Sequence, residues 1–387
     1  MQRGPSGTWV VGPSAGGEKW KAFVPNSLPP DPSLEIDGTL REELDAAYLA
    51  LGRLDGLTGS LPDTALFLYS YVRKEAVLSS QIEGTQSSLS DLLLFEMKEM
   101  PGVPRDDVRE VSNYVAATEH GLRRLRSGFP LSNRLLREMH QKLVAKGRGS
   151  EKQPGELRTS QNWIGGTRPG NAMFVPPPAD RVVECMGDLE KFLHDQPART
   201  PALIKAALAH AQFETIHPFL DGNGRIGRLL ATFILCSEGV LREPLLYLSL
   251  YLKGNRETYY SLLQGTRLRG EWEEWVFFFV RGVRQMADEA IQTAAALTNV
   301  SEKDRGIIQA MGRRAGSALR IHSELQRRPV LSIPVAAKAA RLTIPTVTAA
   351  LESLVDAGIV RELTGRRRNR LFGYKRYLKI LNEGTET

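Results

Sequence analysis

Apolar residues recur at helical spacing along most of the chain, beginning near Ile36. The clearest stretch is TALFLYSYVRKEAVLSSQIEG (64–84), which predicts one amphipathic helix with Gly84 just beyond its end. Ser88 and Asp91 then resemble a capping box that opens a further helix. The pattern therefore predicts a mainly α body.

Three regions depart from this spacing. Residues 1–35 are rich in glycine and proline and predict an extended arm. Residues 150–178, which include NWIGG and AMFVPP, have no helical period and predict a short hairpin or loop. Beyond residue 310, three short apolar helices precede IVREL, the basic turn TGRRRN and RLFGY. This order resembles a winged helix-turn-helix.

The chain of 387 residues is longer than one core usually holds, so we expect several domains. The boundaries that we predict are an N-terminal region (1–110), a helical core with a small β-hairpin (111–290), a linker (291–310) and the winged helix-turn-helix domain (311–387). Ser132 is the expected N-cap of one helix of the core.

The composition predicts a cellular compartment and argues against a membrane-spanning helix. Hydrophobic residues make up 42% of the chain, and no apolar run approaches the roughly 18 residues of a spanning helix. The first 20 residues lack the apolar core of a signal peptide. Cys185 and Cys236 stand in apolar helical context without metal-type spacing, so we expect inert thiols in a reducing cytoplasm.

The positive charge is concentrated near one end. Between Arg313 and Lys379 there are 15 Lys and Arg against 4 Asp and Glu, whereas the whole chain carries +7. TGRRRNR, Lys375 and Arg376 could neutralise DNA phosphates. The preceding helix, IPTVTAALESL, has no Arg, Lys, Asn or Gln in its first two turns to read bases. DNA contact and protein docking therefore both stay open for this domain.

The segment HPFLDGNGRIGR (217–228) lies between two predicted helices and concentrates groups that suit phosphate chemistry. Gly222 and Gly224 allow backbone N–H groups to converge at a helix N-terminus, which is an anion nest. Arg225 and Arg228 stand three residues apart and can reach the same side. The segment is not a Walker A loop, because no GK[ST] follows the glycines.

A carboxylate and an imidazole complete this segment. Asp221 stands directly before the nest, where a carboxylate beside a polyphosphate usually holds Mg²⁺. His217 could take a proton from an attacking hydroxyl as a general base. The residues by themselves therefore indicate nucleotide phosphates, a divalent metal and a histidine base.

HPFLDGNGRIGR also resembles the signature of Fic-domain proteins, HPFx[D/E]GNGRxxR, and matches it at every defined position. The resemblance implies a protein adenylyltransferase, which transfers AMP from ATP to a Tyr, Thr or Ser hydroxyl of a target protein and releases pyrophosphate. It implies these roles: His217 as the base, Asp221 as the Mg²⁺ ligand, Gly222, Asn223 and Gly224 as the anion hole, Arg225 and Arg228 as phosphate ligands, Ile226 and Gly227 as part of the ATP site, and Phe219 as the anchor of the loop.

SSQIEG (79–84) is similar to the inhibitory motif of the same family, [S/T]xxxE[G/N]. Ser79 and Glu83 are four residues apart and share a helix face. The resemblance implies that Glu83 pairs with Arg228 and keeps ATP from binding productively, with Gly84 ending the helix. In some members the same glutamate serves removal of AMP, and this alternative stays open.

Two further stretches carry expected contacts to ATP or target. PGELRTSQNWIGGTRPGNAMFVPPP (154–178) is similar to the family's flap, and Ile164, Gly165, Gly166 and Thr167 would form a strand beside ATP and the target backbone. LSLYLKGNRETYY lies where the family contacts adenine and ribose, so Asn255 and Tyr259 are expected there and Tyr260 in the core.

A DNA-binding regulator that senses nucleotide through the same loop is the rival hypothesis. A sensor needs the nest and the arginines but no base, so the presence of His217 favours the enzyme. The partners that we expect are ATP with Mg²⁺, a target protein with a hydroxyl group, and a second copy of the chain in a homodimer.

Overall fold

The computed structural model describes residues 3–12, 20–60, 64–97 and 105–386. Most of these residues are helical, so the mainly α fold class is confirmed. In chain order the helices are α1 (Gly38–Ser60), α2 (Thr64–Ile82), α3 (Leu89–Glu96), α4 (Arg105–Arg126), α5 (Asn133–Leu143), α6 (Val182–Leu193), α7 (Ala202–Ile216), α8 (Asn223–Ser237), α9 (Leu248–Gly254), α10 (Arg256–Arg269), α11 (Trp272–Gln309), α12 (Ala315–Arg327), α13 (Ile333–Ala340), α14 (Ile344–Asp356) and α15 (Lys375–Asn382). The strands are β1 (Gly7–Val11), β2 (Lys21–Pro25), β3 (Val330–Ser332), β4 (Val360–Glu362) and β5 (Leu371–Tyr374).

Helix α7 lies at the centre of the main body. All 15 of its residues are buried, which explains why its sequence has no polar face. Two of its polar side chains have partners inside the fold: Lys205 forms an ion pair with Asp195 at 2.7 Å, and Nε2 of His210 bonds with the hydroxyl of Tyr259 at 2.9 Å. Helices α6, α8, α10 and α11 pack around α7. The loop that follows α7 therefore starts from a fixed position.

Helix ends lie where the sequence predicted them. Ser88 Oγ accepts from the amide of Asp91 at 3.2 Å, and the Asp91 carboxylate accepts from the amide of Ser88 at 2.9 Å. Ser132 caps α5 by accepting from the amide of Leu135. Gly84 adopts a φ of +99° two residues after α2 ends, a conformation that favours glycine. These caps are local hydrogen bonds, so the local sequence suffices to predict them.

The prediction of an extended arm over residues 1–35 is wrong for β1 and β2, which pair as an antiparallel hairpin. Trp9 is opposite Phe23 in this hairpin, with ring centroids 5.1 Å apart. The amide of Phe23 donates to the carbonyl of Val175 at 2.9 Å, which ties the hairpin to the 150–178 region. The strands are only five residues long, and the surrounding glycines and prolines hid their alternation. Residues 13–19 between them lie outside the described residues.

The linker predicted for residues 291–310 is also wrong. These residues belong almost entirely to α11, a continuous helix of 38 residues. Leu297 and Ile308 are buried in this stretch, because α12 and α15 pack against it. The sequence NVSEKDRG suggested a break since it is polar, but a helix can be polar where only one face is covered.

The C-terminal unit (residues 315–386) contains the three helices and the hairpin that the sequence predicted, namely α12, α13, α14, β4 and β5. A third strand, β3, joins the hairpin in the order β3-β5-β4, and all pairs are antiparallel. Helix α15 follows the hairpin and packs against α2, α3 and α11. The sequence analysis missed both β3 and α15. The unit thus packs against α2 and α3 as well as against α11.

Within the part of the chain that the structure describes, no helix is both long enough and apolar enough to cross a membrane. The two thiols are as inert as expected. Cys185 is buried and Cys236 partly buried, and burial raises their pKa values to about 11 and about 12. Both thiols therefore stay protonated at neutral pH.

The continuity of α11 can be tested at Ala295, an exposed residue in its second half. Ala295→Pro should lower the free energy of unfolding by about 3 kcal/mol or more, since proline removes a helical hydrogen bond and clashes with the preceding turn. Urea unfolding followed by circular dichroism measures this, with Ala295→Ser as the control. Equal midpoints for the two variants would mean that residues 291–310 are a linker after all.

Candidate active site

The loop between α7 and α8 holds the candidate base. His217 ends α7 in the left-handed region with a φ of +49°, and Gly222 precedes α8 with a φ of +78°. Asn223 closes the loop from inside, because its Oδ1 accepts from the amide of Phe219 and its Nδ2 donates to the carbonyl of Phe219, both at 2.8 Å. Residues 217–223 thus form a turn that is closed by the side chain of Asn223.

The imidazole of His217 is neutral at neutral pH because its pKa is low. Burial lowers its pKa to about 4, and the charges of Arg267 and Arg158 act in the same direction. Nδ1 of His217 is buried, while the residue as a whole is partly exposed. Nε2 is therefore the ring nitrogen left for a substrate. A neutral imidazole at neutral pH can accept a proton, as a general base must.

Backbone contacts keep this loop in place. Arg158, which is buried, donates from Nε to the carbonyl of His217 at 2.9 Å and from Nη2 to the carbonyl of Pro177 at 2.5 Å. Asn162 donates to the carbonyls of His217 and Phe219 at 3.2 and 3.0 Å. The sequence analysis missed both residues, since hydrogen bonds to main-chain carbonyls leave no spacing signal.

Phe219 anchors the loop as predicted, because its side chain is fully buried. It stacks on His140 of α5 with ring centroids 3.8 Å apart and planes 4° apart. Nδ1 of His140 accepts from the amide of Gly155, so Nε2 carries the proton and donates to the carbonyl of Asp221 at 2.9 Å. His140, a third residue that the sequence analysis missed, thereby fixes the backbone of the expected metal ligand.

At the start of α8, where the sequence predicts an anion nest, a carboxylate lies close to Gly224. Helix α8 begins at Asn223, directly after Gly222. A Cβ added at Gly224 would overlap Oε1 of Glu83 and would lie 3.0 Å from Nη1 of Arg228. A side chain at 224 would therefore displace the Glu83 carboxylate, which lies beside the helix N-terminus where we expect a phosphate.

Arg228 makes the contact that the resemblance implied. Its Nη2 donates to Glu83 Oε1 at 2.7 Å and to the carbonyl of Ser79 at 2.9 Å, and its Nε donates to Ser79 Oγ at 2.8 Å. The guanidinium is 1% exposed and the Glu83 side chain 35% exposed. Partial burial pushes the pKa of Glu83 upward, but the charge and hydrogen bond of Arg228 outweigh it, so the pKa lies below its usual value. The Glu83–Arg228 contact is therefore ionic at neutral pH.

Arg225 has carboxylate partners of its own. It is 2% exposed, and it donates to Glu110 of α4 at 3.2 Å and to Asp221 at 3.3 Å. Glu110 was absent from the sequence predictions. Arg225 and Arg228 thus contact different carboxylates, and Arg225 orients Asp221 as well as offering charge to a phosphate.

Two more buried carboxylates lie near Arg228. Glu214 of α7 and Glu75 of α2 have pKa values raised to about 7 by burial, against the opposing charge of Arg228. Ser249 donates to Glu75 from both its amide, at 3.1 Å, and its hydroxyl, at 2.5 Å. A Cβ added at Gly227 would lie 2.5 Å from Glu214 Oε1, so glycine is needed there too. None of these relations could be inferred from spacing along the chain.

The strand expected over Ile164–Thr167 is not formed. Ile164 makes an isolated antiparallel bridge with Phe174, and Gly165 and Gly166 turn the chain with φ values of +69° and +70°. The amide of Thr167 donates to Asn171 Oδ1 at 3.0 Å, which closes the turn. Gly165, Gly166 and Thr167 are exposed. The flap (residues 154–178) is therefore a hairpin turn that meets the His217 loop through Arg158 and Asn162.

The burial of Tyr259 and Tyr260 in α10 is the reverse of what the sequence predicted. Tyr259 is buried, and its hydroxyl bonds with Nε2 of His210 at 2.9 Å, so it belongs to the core. Tyr260 is 43% exposed, and burial together with the charge of Glu83 raises its pKa. Asn255 lies exposed at the start of α10, where its Nδ2 donates to the carbonyl of Tyr251. Both rings lie close enough to feel the charges of Glu83 and Arg228, but only Tyr260 is exposed to solvent.

Comparison with known proteins agrees with this geometry. The model of the Fic/DOC family N-terminal region matches residues 41–123, and the model of the Fic/DOC family matches residues 130–235. Residues 41–123 and 130–235 belong to the Fic/DOC family.

Curated relatives match over part of their length. A protein adenylyltransferase Fic from Aedes aegypti is 31% identical over 186 residues, which are 43% of this chain and 34% of that protein. A probable protein adenylyltransferase from Aquifex aeolicus is 36% identical over 93 residues, which are 24% of this chain and 26% of that protein. The chain thus spans about a third or less of these two relatives.

A solved structure extends the likeness in fold to most of the chain. The crystal structure of a Fic family protein from Desulfovibrio desulfuricans covers 88% of this chain and 97% of its own, with a TM-score of 0.57 and 22% identity. This Fic-type fold therefore includes helices outside the two family matches.

The loop between α7 and α8 has one carboxylate, that of Asp221, which could hold a metal ion together with a bound phosphate. Asp221 is 24% exposed beside the nest, and its Oδ1 accepts from Arg225. Among the described residues there is no cluster of three or more His, Cys, Asp or Glu side chains that could hold a metal ion. One carboxylate at a phosphate site suits Mg²⁺, which keeps several waters and takes its remaining ligands from phosphates.

The role of Asn223 in holding the loop between α7 and α8 can be tested by substitution. Asn223→Ala should lower the free energy of unfolding by about 1 to 3 kcal/mol, because it leaves the buried amide of Phe219 without a partner, whereas the carbonyl of Phe219 keeps its bond from Asn162. Asn255→Ala removes one exposed contact of the same side-chain type and should cost less than about 0.5 kcal/mol. Urea unfolding compares the two, and similar losses would contradict the role given to Asn223.

Proposed function

We propose that this protein is an adenylyltransferase that moves AMP from ATP to a Tyr, Thr or Ser hydroxyl of a target protein, and that Glu83 holds it in an inhibited form. The observation that carries the proposal is the position of Glu83. Its carboxylate lies beside Gly224, at the start of the predicted nest, and binds Arg228 at 2.7 Å. The Glu83 carboxylate thus lies where we expect a phosphate of ATP, next to the neutral base His217. This is the arrangement expected of an ATP site that an internal carboxylate blocks.

The chain's own residues account for each step. Nε2 of neutral His217 takes the proton of the target hydroxyl. The oxygen attacks the α-phosphorus, the bond to the bridging oxygen breaks, and pyrophosphate leaves with the electron pair. The backbone amides at Gly222, Asn223 and Gly224 neutralise charge on the phosphate oxygens. Protein-O-AMP and pyrophosphate are the products, and no redox partner is needed.

Asp221 would hold Mg²⁺, positioned by Arg225 and by the bond from His140 to its carbonyl. When bound, the metal supplies positive charge to the α- and β-phosphates. The ligand set is our proposal and rests on the single partly exposed carboxylate beside the nest.

Inhibition follows from competition for one cation. Arg228 is the ligand expected for the γ-phosphate, and in this structure Glu83 and Ser79 take its donors. Because the pKa of Glu83 lies below its usual value, the contact does not titrate at neutral pH. ATP must therefore displace Glu83 or bind with its γ-phosphate elsewhere.

The target side rests on the names of the relatives, which are protein adenylyltransferases. We place the target backbone along the flap near Ile164, whose one bridge to Phe174 leaves the exposed turn at 165–167 free to meet it. The winged-helix nature of the C-terminal unit, its contact with DNA, the homodimer and the cytoplasmic location stay predictions from the sequence.

Replacement of Glu83 tests the proposed activity. Glu83→Ala frees Arg228 for the γ-phosphate, so labelling of lysate proteins from α-labelled ATP with Mg²⁺ should rise at least tenfold. His217→Ala in the same background should remove the label, since no base remains. Glu119→Ala, which changes an exposed glutamate on α4, is the control and should label as the wild type does.

Two outcomes separate the alternatives. ATP binding by Glu83→Ala without labelling of any protein would overturn the transferase and favour a nucleotide sensor. Loss of a previously attached AMP that requires Glu83 would favour the reverse reaction.

The pH dependence of the freed enzyme follows from the pKa of His217, which burial lowers to about 4. The base is neutral throughout pH 6 to 8, so kcat/KM of Glu83→Ala should not fall through protonation of His217 in this range. A histidine with an ordinary pKa of about 6.5 would be only about one quarter neutral at pH 6. A fourfold loss of kcat/KM between pH 8 and pH 6 would therefore contradict the buried, neutral base.

A further inference from the structure

The segment 382–386, which follows α15, lies against the end of the inhibitory helix α2. Gln81, two residues before Glu83, donates from Nε2 to the carbonyls of Thr385 and Ser87, both at 3.0 Å. Its Oε1 accepts from Lys253 Nζ at 2.7 Å, and the same Nζ donates to the carbonyl of Glu386 at 3.2 Å. The end of α2, the end of α9 and segment 382–386 thus share one cluster of hydrogen bonds.

Segment 382–386 is itself anchored. Thr385 is fully buried, and both its amide and its hydroxyl donate to the carbonyl of Asn382, at 2.8 and 2.9 Å. Ser90 of α3 lies 3.1 Å from Asn382 Oδ1 through its hydroxyl. Gly384 adopts a φ of +81°, and a Cβ there would lie 2.8 Å from Leu250 of α9. The segment therefore occupies a fitted position between α3 and α9.

Gln81 and Glu83 hold the end of α2 from different sides. Ser79 and Glu83 both contact Arg228. Gln81 lies two residues from each, which is about 200° around a helix, so its side chain points away from Arg228. The last turn of a helix frays easily because its carbonyls lack helical partners. Contacts on the far side can therefore decide how long Glu83 stays on Arg228.

We propose that segment 382–386 is part of the inhibitory device: it fixes the last turn of α2 and so keeps Glu83 on Arg228. When the segment leaves Gln81, the turn loosens and Arg228 becomes available to a phosphate. The C-terminal unit thereby controls the site through α15 and the residues after it. This inference rests on the proposed function, because it names the regulation of the same site.

Two variants remove the contact from opposite sides. Gln81→Ala deletes the side chain that binds the segment, and Thr385→Arg places a large cation where a fully buried threonine lies. Each should raise AMP transfer from α-labelled ATP by on the order of tenfold, as expected for the loss of about two hydrogen bonds. The double variant should exceed neither single variant, because both act on one contact. Gln292→Ala, at an exposed glutamine of α11, is the matched control and should have no effect.

Hydrogen exchange separates this inference from the proposed function. The amides of residues 79–85 should exchange faster in Gln81→Ala and Thr385→Arg than in the wild type, whatever the reaction is. If Glu83→Ala transfers AMP while both variants keep wild-type activity and exchange, the role of the segment is wrong. If Glu83→Ala is inactive, the proposed function fails, and exchange alone then decides whether segment 382–386 holds α2. Should Thr385→Arg fail to fold, Gln81→Ala still gives both readouts.

Discussion

The guanidinium of Arg228 is the group on which the rest of the site depends. It is almost fully buried, and a buried cation is strongly destabilising unless an anion and hydrogen-bond acceptors surround it. Ser79 supplies a hydroxyl and a carbonyl, and Glu83 supplies the carboxylate. The Glu83 carboxylate also lies beside Gly224, where we expect a phosphate, so a phosphate that binds Arg228 there has to displace it. In the function that we propose, inhibition by Glu83 and binding of a nucleotide phosphate are therefore alternative ways to neutralise the same buried cation.

The two sides of this contact differ in rigidity. The His217 loop is held by Asn223 from within and by Arg158 and Asn162 from the flap, and each of these bonds ends on a main-chain atom. Such a loop keeps its geometry whether or not a nucleotide is present, which suits a preorganised site. Glu83 instead lies beyond the last turn of α2, where helical hydrogen bonds run out. A change of state is accordingly expected in the α2 end and not in the loop.

Sequence predictions succeeded where the determining contacts are local. The helix caps at Ser88 and Ser132 each depend on residues three positions apart. Predictions failed where a distant element decides burial. Tyr259 and Tyr260 are neighbours in sequence, yet only the packing of α7 and α11 against α10 determines which of them is inside. The polar stretch after residue 291 stays helical because α12 and α15 cover one side of α11.

The sequence by itself determined the chemistry of the loop: a base, an anion nest, a carboxylate and two cations within twelve residues, because these groups act through spacing along one chain segment. It also paired Glu83 with Arg228, but only through the resemblance to a family. The tertiary structure alone decided that burial keeps His217 neutral, that His140 bonds to the backbone of Asp221 while Glu110 pairs with Arg225, and that the residues after α15 reach Gln81. Those outcomes depend on burial and on contacts between segments far apart in the chain, and neither quantity is encoded in the spacing of residues.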